Sequence, residues 1–254
     1  MTKVIAPLQG LVAATFTPLH EDRSLHLDAI APMVDRLISQ GLAALYVLGS
    51  TGEGASLTFD ERCAVAESFV CAADGRLPVI VQHIPAVTGA SVNAIEFLKL
   101  AEQRIENLRG VKFTSQNVFE FQTCVEYAEE RLQIFWGLDE MLQCGLAAGA
   151  VAAVGSTYNF APAIYCRLLA AFAAGDMETV RQEELRSQAI VSAFIPYGPR
   201  GAQEAIMKMI GIDCAPTRLP VPTLTQTQYA ALERELRDIG FFEWIKPLAE
   251  TSLP

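Results

Sequence analysis

Short apolar runs alternate with amphipathic ones along most of the chain. Gly10-Leu-Val-Ala-Ala-Thr-Phe16 has no polar face and reads as a strand buried on both sides. Behind it, Leu27, Ile30, Val34, Leu37 and Ile38 fall on one face of a helix that Gly41 stops. Leu42 to Leu48 is a second buried strand, running into the turn Gly49-Ser-Thr-Gly-Glu-Gly54. Thr58 and Glu61 have the spacing of a capping box, in which each side chain satisfies the other's backbone amide, so a helix starts there. Pro78-Val-Ile-Val-Gln82 is a third strand and Ser91 to Arg104 a third helix.

The beat continues through strand Gly110-Val-Lys-Phe113 and helix Val118 to Glu130, then strand Gln133-Ile-Phe-Trp136 and helix Glu140 to Ala148. Val151-Ala-Ala-Val154 is a sixth strand, followed by a helix over Pro162 to Ala174. Doubly apolar strands separated by single helices, six such βα units in all, predict a parallel sheet covered by helices. After Asp176 the pattern is helical only, with Pro216, Pro220 and Pro222 as a connector and a last helix capped by Thr225 and Gln228. One domain over 1–254 is expected, with βα units over 1–175 and a C-terminal helical extension over 176–254. The strands end in polar clusters: Thr15-Phe-Thr17, Ser50-Thr51, Gln82-His83, Lys112-Phe-Thr114, Gly137-Leu-Asp139-Glu140 and Gly155-Ser-Thr-Tyr-Asn159. In a (β/α) barrel these ends converge on one mouth, where sites are built.

Of the 254 residues 51% are apolar, which excludes a disordered or collagen-like chain. With 19 basic and 29 acidic residues the net charge is −10, a poor match for duplex nucleic acid or an anionic membrane. The six cysteines form no C-x-x-C pair and read as buried free thiols of a reducing compartment. His20, His26 and His83 do not recur at ligand spacing, so no metal site is expected. The start of the chain lacks a secretory core, and the longest weakly polar run, Gly145 to Gly155, is about half of the ~20 residues a membrane helix needs. A soluble, cytoplasmic protein is expected.

Lys112 is the one lysine of five that falls inside a predicted buried strand. Burial disfavours an ammonium, and a neutral amine is what Schiff-base chemistry on a ketone requires. The alternative is a structural lysine paired to an acid such as Glu140. Lys208 sits on a helical pattern and is expected to snorkel to the surface. Gly49-Ser-Thr-Gly-Glu53 offers hydroxyls and amides to a carboxylate or phosphate, or is an ordinary turn. Asp139-Glu140 could accept from sugar hydroxyls or favour a helix N-terminus. Gly155-Ser-Thr-Tyr-Asn159 is a polar strand end or a simple turn.

Taken in order, Gly-Ser-Thr-Gly-Glu at 49–53, His-Ile-Pro-Ala-Val-Thr-Gly at 83–89, Gly-Val-Lys-Phe at 110–113 and Gly-Ser-Thr-Tyr-Asn at 155–159 resemble the pyruvate-dependent class I aldolases of the dihydrodipicolinate synthase and N-acetylneuraminate lyase family. Ser-Thr at 50–51 and the Asp139-Glu140 pair are more similar to the sialic-acid lyases within it. The resemblance implies that Lys112 forms the imine with pyruvate or the open-chain sugar acid, and that Ser50 and Thr51 hold the carboxylate. It implies that Thr114, Gly137, Asp139, Glu140 and Ser156 line the sugar end, that no cofactor or metal is needed, and that the assembly is a homotetramer.

Two features depart from the family. The resemblance implies a TIM-type (β/α) barrel, which in the family has eight strands. This chain is expected to be one shortened to about six βα units, with about two units, ~60 residues, missing between Gln82 and His83. Gln82 also stands where the family's proton-transfer tyrosine is expected, with Tyr158 and His83 as the nearest substitutes. Losing such a group typically lowers rates ~10²–10⁴-fold. Impaired lyase activity is therefore expected. The alternatives are a non-catalytic keto-acid or sugar-acid binding or scaffold form, and an aldolase for another 2-keto-3-deoxy sugar acid.

Overall fold

Leu11 and Ala13 project from the first strand into one buried cluster, Val12 and Ala14 into another. A strand buried on both faces lies between two apolar layers, and the topology supplies them. The computed structural model describes residues 7–81, 94–104, 110–129, 131–214 and 216–246. Its six parallel strands are β1 (Gly10–Ala14), β2 (Ala44–Val47), β3 (Val79–Val81), β4 (Gly110–Phe113), β5 (Gln133–Trp136) and β6 (Ala152–Gly155). They lie side by side in the order β3-β2-β1-β6-β5-β4. Helices α1 (Ile30–Ser39), α2 (Phe59–Ala73), α3 (Ala94–Arg104), α4 (Val118–Ala128), α5 (Leu142–Ala147) and α6 (Pro162–Ala174) each follow one strand. The extension is α7 (Met177–Phe194), α8 (Pro199–Met209), α9 (Gln226–Asp238) and the short α10 (Phe241–Trp244).

The sheet curls on itself. Register sets Ala14 beside Tyr46, Tyr46 beside Ile80, Val12 beside Val154, and Lys112 beside Phe135. Val12, Ala14, Ala44 and Val154 form the inner cluster, with Tyr46, Ile80 and Phe135 packed against it. Lys112 shares the inward face of Phe135, and its Nζ lies 5.8 Å from the centroid of the Tyr46 ring. β4 ends the sheet and β2 is four strands away, so only a strongly curved sheet brings them together. Among the described residues no pairing joins β3 to β4, which leaves an open part-barrel of the expected six βα units.

Local chemistry explains the boundaries. The Thr58/Glu61 capping box is formed and starts α2, and Thr225 with Gln228 does the same for α9. Gly41 has φ +78° just past α1, a left-handed conformation that glycine adopts without strain. The helix expected from Glu140 instead begins as a tight 3-10 turn over Asp139–Met141, because Asp139 is turned inward and buried. Trp136 donates its indole N–H to the Leu138 carbonyl there, at 2.7 Å.

Helix α7 breaks from α8 at Gly198 (φ +87°) and Pro199, whose ring removes a backbone donor. All six cysteines are free. Cys124 and Cys214 are buried as expected, but Cys63, Cys71 and Cys144 are exposed. On α2 the buried stripe is Val65, Phe69 and Ala73, and positions 63 and 71 lie off it. Among the described residues no helix is long and apolar enough to cross a membrane. Gln82, His83 and the rest of the 83–89 motif, and hence the expected joint, lie outside the described residues.

Candidate active site

Lys112 points into the curl because β4 alternates: Val111 and Phe113 pack against the helices, and Lys112 takes the inward side. Burial pushes its amine below the ordinary lysine range, and the Asp139 carboxylate partly offsets this. The acidic neighbour is thus Asp139 rather than Glu140, the partner suggested by the sequence. The Tyr46 phenol is pushed up to about 12 by burial and stays neutral beneath the amine. Room for the lysine arm comes from Gly137 at the end of β5. A Cβ there would meet Lys112 Cε at 2.9 Å and Thr114 Oγ1 at 2.3 Å.

Asp139 is 6% exposed and stands at the end of a chain of hydroxyls. Its Oδ2 accepts from the Thr157 amide at 2.8 Å and the Thr157 hydroxyl at 2.7 Å. Thr157 Oγ1 meets Tyr165 Oη at 2.6 Å, and Tyr165 Oη meets Ser187 Oγ at 2.8 Å. The single proton of Thr157 Oγ1 serves either Asp139 or Tyr165, and in the Tyr165–Ser187 pair either hydroxyl can donate. Burial pushes Asp139 up to about 6, with the two Thr157 bonds and Lys112 pulling the other way. Gly155 makes this approach possible, since a Cβ there would lie 2.1 Å from Asp139 Oδ1. Asn159 holds the same turn against β1 by donating to the carbonyls of Ala14 and Ser156, both at 2.7 Å.

The Gly49–Gly54 turn is held from three sides. Thr17 donates to the Gly52 carbonyl at 2.7 Å, and Arg62 to that of Gly54 at 2.6 Å. Gly52 lies so close to β1 that a Cβ would be 2.9 Å from the Thr15 carbonyl oxygen. Glu53 adopts the left-handed conformation (φ 48°), is buried, and accepts from the Arg218 amide at 2.9 Å. Its carboxyl also meets that of Glu204 on α8 in a hydrogen bond, and burial plus the Glu53 charge push Glu204 up to about 10.

These elements enclose a cavity of about 210 Å³. Six of the residues singled out from sequence line it: Thr51, Lys112, Gly137, Asp139, Glu140 and Ser156. Ser50 and Thr114 are exposed and lie outside its wall, although Thr114 Oγ1 packs beside Gly137. Tyr158 is fully buried and does not line it, and its phenol is pushed well above the usual range by burial. Thr157, Val191, Phe194, Ile195, Pro199 and Gln203 complete the wall. The residues from α7, its 3-10 end and α8 carried no motif. Only the polar Gln203-Glu204 pair inside an otherwise apolar helical stretch could have flagged them. Lys208 is exposed and pairs with Asp213 at 2.9 Å, as a snorkelling lysine should.

A half-buried amine of lowered basicity, at the mouth of parallel βα units, is the equipment of a Schiff-base aldolase of the barrel class. Within that class the chain belongs to the dihydrodipicolinate synthetase family, whose model matches residues 7–83 and 76–239. The two matches meet at residues 76–83, where the sequence motifs place the missing units. N-acetylneuraminate lyase of Rattus norvegicus is 30% identical over 301 aligned positions, covering 93% of this chain and 94% of that protein. That alignment is longer than the 254-residue chain, so the relative carries a stretch that this chain lacks. The solved structure of Proteus mirabilis N-acetylneuraminate lyase superposes with TM-score 0.87 at 30% identity, covering 92% of this chain and 99% of that one. For the Aliivibrio salmonicida enzyme the TM-score is 0.88 at 27% identity, with 93% and 98% covered. The chain is thus a class I aldolase by family, of the type its relatives represent.

Proposed function

We propose that this chain cleaves N-acetylneuraminate reversibly to N-acetylmannosamine and pyruvate through an imine on Lys112. One observation carries the reading: Lys112 shares a single cavity with Thr51 and with the polar group Asp139, Glu140 and Ser156. The amine of Lys112 adds to the keto carbon C2, and the carbonyl oxygen leaves as water, giving a protonated imine. The C3–C4 bond then breaks as the C4 hydroxyl loses its proton. The bond's electron pair moves into the imine, which becomes an enamine, and C4 leaves as the aldehyde of N-acetylmannosamine. Protonation at C3 and hydrolysis release pyruvate and restore the lysine. No further cofactor or metal enters these steps.

The Ser50-Thr51 turn is assigned to the substrate carboxylate, and Asp139, Glu140 and Ser156, with Thr114 and Gly137 beside them, to the polyol end. Gln82 replaces the tyrosine expected to move the C4 proton, so this step is the slow one. Pyruvate release from N-acetylneuraminate, followed with a coupled dehydrogenase, tests the reading. The expected rate is ~10²–10⁴-fold below that of an eight-unit lyase and is abolished by Lys112→Met. Gln82 also favours a second reading, in which the imine forms and the cycle stalls. A pyruvate adduct without sugar-acid cleavage would select it.

A further inference from the structure

Gln203 belongs to the helical extension rather than to a βα unit, yet it forms part of the Lys112 cavity wall. It is 7% exposed, on a helix whose neighbouring Ala202, Ile206 and Met207 are buried apolar residues. A buried carboxamide needs a partner, and Gln203 Nε2 donates to Ser156 Oγ at 3.0 Å. Ser156 thereby accepts, and its single hydroxyl proton is left to donate elsewhere. Asp139 and Glu140, in the same cavity wall, offer acceptors beside it. A wall that carries both donors and carboxylates suits hydroxyl groups, each of which both donates and accepts. The next residue, Glu204, grips Glu53 in the turn after β2, so α8 is anchored where Gln203 enters the cavity.

We propose that Gln203 determines specificity for the polyol tail of the sugar acid. It fixes Ser156 as a donor and presents its own carboxamide to the distal hydroxyls. This rests on the lyase reading of the cavity and adds a residue from outside the barrel motifs. The test uses ligands that cannot turn over: the ketone-reduced forms of N-acetylneuraminate and of pyruvate, titrated calorimetrically into wild type, Gln203→Met and Ser156→Ala.

Gln203→Met is expected to weaken the long ligand about tenfold and the short one less than twofold. Combined with Ser156→Ala it should add less than it does alone, because the two residues act as a pair. Gln203→Glu keeps the length but, when ionised, takes the Ser156 proton as an acceptor. It should weaken the long ligand as well, and it serves if Gln203→Met does not fold. Equal weakening of both ligands, no weakening of either, or additive losses would overturn the assignment. A separate pyruvate and borohydride adduct on wild-type Lys112 shows whether the lyase reading stands. If that adduct forms and the ligand pattern fails, only the role of Gln203 falls; if the adduct is absent, both fall.

Discussion

At position 137 a single methyl group decides whether the lysine can reach the cavity. The Cβ of Gly137→Ala would press on Lys112 Cε, Thr114 Oγ1 and the Phe113 carbonyl, all within 2.9 Å. Pyruvate trapping by borohydride should fall at least ~10²-fold in this variant, since misplacing a nucleophile by ~1 Å has that effect. Unchanged trapping would mean that the lysine arm does not use this space. Thr157→Val probes the carboxylate. Thr157 lowers the Asp139 value through two bonds, and valine removes the hydroxyl one, so the pKa should rise further above about 6. Asp139 must be ionised to accept from sugar hydroxyls without donating, so sugar-acid affinity should fall away on its acid side. The limb should move to higher pH in Thr157→Val, and a limb that stays in place would remove Asp139 from this role. At this scale the sequence was informative for Lys112, Gly137, Asp139, Glu140, Ser156 and Thr51, because motif order and strand alternation fix their side. The Thr157–Tyr165–Ser187 chain was not legible, since it joins a strand end to α6 and α7 across the helical layer.

Elements were legible wherever the apolar period ran unbroken: β4, β5 and α6 begin and end as the pattern predicts. The departures sit at the site, where Asp139 turns the start of α5 into a 3-10 turn. Helix α8 looked like an ordinary amphipathic segment, and its two roles arise from tertiary contacts that no local pattern encodes. Glu204 gives it a pH signature. Its folded value of about 10 lies above an ordinary glutamate near 4.5, so the folded chain holds a proton that the unfolded chain releases. Stability from this group is complete below about pH 4.5 and declines as pH rises toward about 10. At pH 7 the penalty is about 3 kcal/mol. Glu204→Gln keeps a donor for Glu53 without the ionisation. Its Tm should exceed that of wild type at pH 8, with the gap closing toward pH 4.5. Equal melting curves at both pH values would show that the pair does not share a proton.

Across the whole molecule, residues at the ends of β2, β4, β5 and β6 wall one cavity together with α7 and α8, although among the described residues β3 and β4 do not pair with each other. The extension braces the curl from outside. Arg218, in the connector before α9, reaches Glu61 on α2 at 2.6 and 2.8 Å and the Arg23 and Ser56 carbonyls at 2.8 and 3.2 Å. Its own amide holds Glu53. The guanidinium holds Glu61 down at about 2, so this brace is intact above the ordinary glutamate range and is lost as pH falls through about 2. Arg218→Ala should destabilise by about 1–3 kcal/mol, read as a lower denaturant midpoint. An unchanged midpoint would make the brace ornamental. The missing units were legible from motif order alone, because His83-Ile-Pro follows Val79-Ile-Val-Gln82 directly. How the curl closes around Tyr46 and Lys112 was not, since strand order gives no curvature.

The most direct measurement is intact mass before and after incubation with pyruvate and borohydride, with peptide mapping of the product. Imine chemistry predicts a single reduced pyruvate adduct on the peptide carrying Lys112, absent from Lys112→Met. A folded protein of 27.6 kDa with Lys112 unmodified would contradict it.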